Sequence, residues 1–265
     1  MKSYSIGAPN ELRIGNIGII SLLFVLIVST LLYFLPVNEN PIISPSSRWC
    51  YHYRETLIHD GKPIYEKSEV LRYFSVNITR GVLIVRMERT FEWKIFHENR
   101  TEVITSNASE ETLFLVDVSS RMYFDGSYTS WWIPTNIFIG SSIPVWTINF
   151  NVKGFSWIMF NGKILECWVL EYRSAVEEYI LLYERVTGIF IKYEIREIAS
   201  SSQQLLRERW LTDSDIEWPI LAFIRPFLLL PIIASLLVLV SLLIKKIRGH
   251  LMVKKKSLNQ DYLLI

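Results

Sequence analysis

The sequence is poor in the residues that most often carry chemistry. In 265 residues there are two cysteines, four histidines and 11 glycines. Among His52, His59, His97 and His250, no histidine has a Cys or second His at metal-ligand spacing, and His52 and His59 flank a turn, where a structural role is expected. A G-x-S-x-G nucleophile turn is absent, as is a glycine-rich phosphate loop. Acid pairs such as Glu110-Glu111 and Glu177-Glu178 fall where a solvated charge is the ordinary outcome. The sequence therefore points to a non-enzymatic protein with no catalytic residue, metal or cofactor. A surface hydrolase stays open as an alternative, because two carboxylates can converge on folding without leaving a motif.

A basic face is also missing. The formal charge of +2 conceals a split: residues 37–218 hold 19 Lys/Arg against 24 Asp/Glu, and the excess of positive charge lies at the ends of the chain. Such a domain has no electrostatic footprint for nucleic acid.

What is abundant is apolar residues, 50% of the chain. Two uncharged or nearly uncharged runs, residues 17–35 and 227–244, approach the roughly 20 residues that cross a bilayer. In lipid both must be helical, since every backbone group has to be satisfied internally. No small-x-small cleavage site follows the first run, so it reads as an uncleaved anchor rather than a signal peptide. Pro231 is placed to kink the second. Lys245, Lys246, Arg248, Lys254, Lys255 and Lys256 follow the second run, and Lys2 and Arg13 precede the first. By the positive-inside rule both ends are cytoplasmic and the middle is exported. The organisation is then a cytoplasmic N-terminus (1–16), a first transmembrane helix (17–36), an extracellular domain (37–218), a second transmembrane helix (219–244) and a basic cytoplasmic tail (245–265), with the lipid bilayer as partner. Arg225, near the outer end of the second span, is expected to snorkel to the headgroups.

Both cysteines, Cys50 and Cys167, lie in the exported part, where an oxidising compartment would allow a disulfide; two separate buried thiols are the alternative. Sequons at Asn77, Asn99 and Asn107 lie there too, the last two in a polar stretch, residues 97–111, that reads as an exposed and glycosylated loop.

The domain alternates apolar and polar residues with period two. Tyr51, Tyr53 and Leu57 oppose His52, Arg54 and Thr56, and Asp60-Gly61 turns the chain. Asn161-Gly162 is a two-residue type I′ hairpin signal. Nine to eleven short-linked strands, one face wet, predict a mainly β, antiparallel meander: a curved sheet, a half-barrel or a sandwich. Nine Trp make aromatics the compositional oddity. Most are expected in the core, and Trp218 at the membrane interface. Adjacent Trp131 and Trp132 are candidate ligand or interface residues, because neighbours on a strand face opposite ways and at most one can be core if the sheet has a wet side.

Asp125-Gly126, Trp131-Trp132-Ile133-Pro134, Ile139-Gly140, Cys167-Trp168 and the stretch from Tyr183 to Thr187-Gly188 resemble a pattern in uncharacterised archaeal membrane-anchored surface proteins. That resemblance covers the second half of the domain and implies a β-rich extracellular domain with no known activity. The functional expectation is a cell-surface binding module or accessory subunit, touching the bilayer and another membrane or surface protein. The alternative is a carrier or sensor of an apolar, lipid-like ligand held in an aromatic-lined half-barrel.

Overall fold

The computed structural model describes residues 10–34, 46–96, 101–198, 200 and 202–261. Two compact units emerge, one of Met1–Leu35 with Phe227–Ile265 and one of Pro36–Pro226. The first contains helix α1 (Asn10–Phe34) and most of helix α2 (Ile220–Asp261). Among the described residues the second holds ten strands: β1 (Arg48–His59), β2 (Lys62–Thr79), β3 (Val82–Phe96), β4 (Thr101–Asp117), β5 (Ser142–Val145), β6 (Ile148–Phe160), β7 (Lys163–Arg173), β8 (Glu177–Glu184), β9 (Phe190–Ile198) and β10 (Gln203–Ser214).

All ten strands form one antiparallel sheet in the order β4-β3-β2-β1-β10-β9-β8-β7-β6-β5. A sandwich would need a second sheet, so that form is excluded. The order is also not a plain meander. β1 and β10 pair at the centre, from Trp49↔Ser214 to His59↔Gln203. The chain runs outward from β1 to the edge at β4, crosses to the far edge at β5, and returns strand by strand.

Three hairpins turn on two residues of positive φ: Asp60-Gly61 (48°, 75°), Arg80-Gly81 (53°, 80°) and Asn161-Gly162 (48°, 73°). These angles define type I′ turns, whose twist matches the strands they join. The hairpin expected at Asn161-Gly162 forms as read. The polar stretch expected as a loop does not: from Thr101 it is strand β4, paired to β3 from Phe96↔Thr101 to Val82↔Asp117. Its alternation of small polar and apolar side chains suits an edge strand as well as a loop. Asn77 is exposed near the end of β2, its Oδ1 accepting from Ile78 N. Asn107 falls within β4, while its side chain and all of Asn99 lie outside the described residues.

Each strand places one side inward. The inner row through the sheet's centre runs Glu69, Tyr53, Arg209, Tyr193, Leu181, Leu170 and Val152. The opposite face carries solvated pairs such as Arg54–Glu208 (3.2 Å) and Lys192–Glu208 (3.4 Å). His52 lies on that outer face against Trp210 and bonds Ser68 Oγ. One face meets a core and the other meets water.

The crossover from β4 to β5 covers the inner face. It bridges the end of β4 (Val116↔Tyr123), the β5–β6 turn (Tyr128↔Trp146) and the β8–β9 turn (Trp132↔Ile189). Because Trp131 and Trp132 belong to this cover and not to the sheet, the alternation argument fails there and both are buried, at 4% and 3% exposure.

Among the described residues one helix, α2, is long and apolar enough to cross a membrane, over Ile220–Lys245. The expectation of two spans is corrected. Among the described residues α1 contributes a shorter apolar stretch, Ile19–Phe34.

Candidate functional site

The cover leaves a cavity of about 520 Å³ against the inner face, lined by residues of β2, β4, the crossover, the β5–β6 turn and β10. Trp131 forms one wall. Its ring packs edge-on against Trp49 (5.8 Å), Tyr73 (5.4 Å), Phe114 (5.7 Å) and Tyr123 (5.9 Å). Another wall is Trp146, held by paired backbone bonds with Tyr128 (2.8 and 2.9 Å) and packed against Tyr193 (5.9 Å). Phe124 projects at the rim, 80% exposed. Single exposed apolar residues need no explanation. A large aromatic at the mouth of an aromatic cavity is a different case, because it extends one contiguous apolar surface.

Arg209 lines the same cavity and is 9% exposed. It projects from β10 between Tyr53 of β1 and Tyr193 of β9. Its Nη2 donates to the Tyr73 hydroxyl (3.0 Å), and its guanidinium lies over the rings of Tyr51 (4.3 Å), Tyr73 (5.4 Å) and Phe190 (5.6 Å). The Tyr51 hydroxyl donates to Phe190 O (3.1 Å). Burial pushes the Tyr123 and Tyr193 phenols up to about 12 and that of Tyr51 higher still, so all three are neutral at physiological pH.

A second polar cluster lies at the other end of β7. Glu166 is fully buried and accepts from Arg185 Nη1 at 2.7 Å, with Arg225 Nε at 3.9 Å. Glu184, also fully buried, closes the β8–β9 turn: its carboxylate accepts from Val186 N (2.8 Å), Thr187 N (2.6 Å) and Thr187 Oγ1 (2.6 Å). Burial raises its pKa against these donors. Arg225 is thus not a snorkelling residue. It is 4% exposed and turned to Glu166, because a buried carboxylate attracts the guanidinium more strongly than a screened headgroup layer would. The cluster is an ion pair and a capped turn.

The two cysteines are free. β10, β9 and β8 lie between their strands, a separation near 19 Å at about 4.8 Å per strand, whereas a disulfide needs Cα atoms within about 7 Å. The disulfide reading is replaced by its alternative for Cys167, which is fully buried, and Cys50 is half-buried. Trp218 packs on Phe160 (5.8 Å), beside the start of α2. Among the described residues no group of three His, Cys, Asp or Glu is arranged to hold a metal.

Of the sequence's candidate residues, the cavity takes Trp131 alone. Arg209 was missed; its signal was a charge on the alternating face of β10 that places Leu211 in the core.

No family model matches the chain, and no curated protein matches it. Among solved structures it is similar to an S-type phycobiliprotein lyase from Guillardia theta, 7% identical, over 62% of this chain and 85% of that one, with a TM-score of 0.23. A superposition that loose carries no argument about fold or ligand.

Proposed function

We propose that this protein is a membrane-tethered binding module whose aromatic cavity holds an apolar ligand. The observation that carries the reading is the cavity itself: about 520 Å³ between Trp131, Trp146, Tyr73 and Tyr123, with Phe124 at its mouth. That volume falls in the range of small-molecule sites, and the space is open to solvent, its aromatic walls interrupted by Asp125, Ser127, Ser130 and Arg209. α2 is the tether. The lysines that follow its apolar part, from Lys245 on, support a cytoplasmic C-terminal end and an outer β domain. A sensor or carrier fits better than an enzyme, because the three buried acids, Glu69, Glu166 and Glu184, are each engaged by a partner.

The test is fluorescence titration of the full chain, in phosphatidylcholine nanodiscs, with the neutral probe N-phenyl-1-naphthylamine, empty discs subtracted. Saturable binding is expected, with quenching of part of the Trp emission. Phe124→Ser, at an exposed position that cannot disturb the core, weakens it roughly fivefold by removing one aromatic contact. A wild-type signal no greater than that of empty discs would overturn the reading.

A second reading, contact with another membrane protein, has its own observation. The β6–β7 hairpin exposes Trp157 (55%) and Met159 (74%) beside Phe160 and Trp218. Photo-crosslinking from residue 159 in intact membranes tests it, and products confined to lipid would count against it.

A further inference from the structure

We propose that the cavity's ligand is an amphipathic anion, its apolar body between Trp131 and Trp146 and its acidic group on Arg209; this rests on the apolar-ligand reading above and adds the charge.

The argument comes from comparing the buried arginines of the β unit. A guanidinium out of water needs its five N–H donors answered and its charge balanced. Arg121 reaches the carbonyls of Trp132 (3.0 Å) and Pro144 (3.2 Å) and so ties the crossover to β5. Arg185 and Arg225 share Glu166. Arg209 has one hydroxyl, Tyr73, and a set of ring faces. Its Nε is buried with no partner, and among the described residues no carboxylate pairs with it. Ring faces hold a cation in place but do not neutralise it.

The acids near Arg209 on the inner face are already taken. Glu69, in the same row, pairs with Lys67 at 2.5 Å. Glu55, one row on, is bound by Arg207 (3.0 Å) and by the Tyr53 hydroxyl (2.7 Å). Asp125 is the one carboxylate among the cavity's lining residues, and its Oδ1 accepts from Ser127 N and Oγ within its own turn. Asp125 keeps its charge within that turn, and among the described residues Arg209 has no carboxylate in contact with it at the cavity wall. A carboxylate, sulfonate or phosphate there would meet a charge-assisted donor pair. Tyr73, which accepts from Arg209, has its own proton to donate to the same anion.

Two sources share this chemistry: a free amphipathic acid, or an anionic lipid of the membrane that holds the tether. The experiment compares N-phenyl-1-naphthylamine with 8-anilino-1-naphthalenesulfonate, the same apolar body bearing a sulfonate, on the full chain in phosphatidylcholine nanodiscs. The sulfonate is expected to bind about tenfold tighter, the ratio for one charge-assisted hydrogen bond. Arg209→Gln brings the ratio of the two affinities near one, whatever it does to the neutral probe alone. Equal affinities in the wild type overturn the anion site while the apolar reading stands; no binding of either probe overturns both. The wild-type comparison decides the matter even if Arg209→Gln fails to fold. Repeating it in phosphatidylglycerol discs separates the sources. Displacement of both probes supports the site with a lipid occupant, whereas loss of the sulfonate alone, by surface repulsion, supports it with a free one.

Discussion

Replacing Gly188 tests how the cover is fastened to the sheet. Gly188 has φ +72°, donates its N–H to Glu184 O (2.8 Å) and accepts from Ile133 N (2.9 Å). A Cβ at this position would lie 2.2 Å from Ile133 O and 3.2 Å from Ile133 C, so it strikes backbone that cannot swing aside. Gly162 supplies the control: its φ is +73°, and a Cβ there meets nothing within 4 Å. Alanine costs both positions the left-handed penalty of about 1 kcal/mol. Only Gly188→Ala must also push the crossover away, adding about 2 kcal/mol of overpacking and about 1 kcal/mol for the weakened Ile133 bond. The expected losses are about 4 kcal/mol for Gly188→Ala and about 1 kcal/mol for Gly162→Ala. Urea unfolding of the full chain in neutral detergent, followed by Trp fluorescence, measures both. Since Trp131 and Trp132 sit just before the contact, the Gly188 variant also shifts the folded emission to the red. Equal losses at the two positions would refute the reasoning, for they would mean that the crossover is not held against the turn.

Two further outcomes follow from buried groups. Cys167 should resist maleimide until the protein unfolds, while half-buried Cys50 is labelled in the folded state; burial and the carboxylates of Glu184 and Glu166 hold the Cys167 thiol well above its ordinary pKa, so it has no thiolate to react at pH 8. Peptide mapping by mass spectrometry reads this directly, and a Cys50–Cys167 crosslinked peptide would contradict the fold. Glu166→Ala leaves Arg185 and Arg225 facing each other without their shared carboxylate and is expected to cost about 3 kcal/mol; an unchanged urea midpoint would show that solvent already screens the pair.

The strands were legible because their signal is local. Period-two alternation and the Asn161-Gly162 and Asp60-Gly61 turns are fixed by neighbours in the chain, and the structure places them as read. β4 was not legible: Glu102, Asn107, Glu110 and Glu111 have low strand preference by themselves and pair because β3 offers an edge. The same dependence on distant partners hid the disposition of Trp131-Trp132. Alternation assumes that a residue belongs to a sheet with two faces, and only the crossover's path across that sheet shows that both indoles can be covered at once.

Arg209 was hidden for a related reason, and it shows what a sequence withholds about a binding site. In β10 the run Arg207-Glu208-Arg209-Trp210 has the composition of a solvated strand, and alternation sends Arg209 to the same side as Leu211 without revealing whether a carboxylate waits there. For Arg207 one does, Glu55 at 3.0 Å; for Arg209, two residues along the same strand, the facing residue on β1 is Tyr53. One step in register thus separates a closed ion pair from an open one. If Arg209 served only to brace the tyrosines, a neutral donor would do so at lower desolvation cost, and Arg209→Gln would leave both probes' affinities where they were. A guanidinium kept among rings with its Nε unanswered is a charge awaiting its counterpart, and the cavity in front of it is where that counterpart fits.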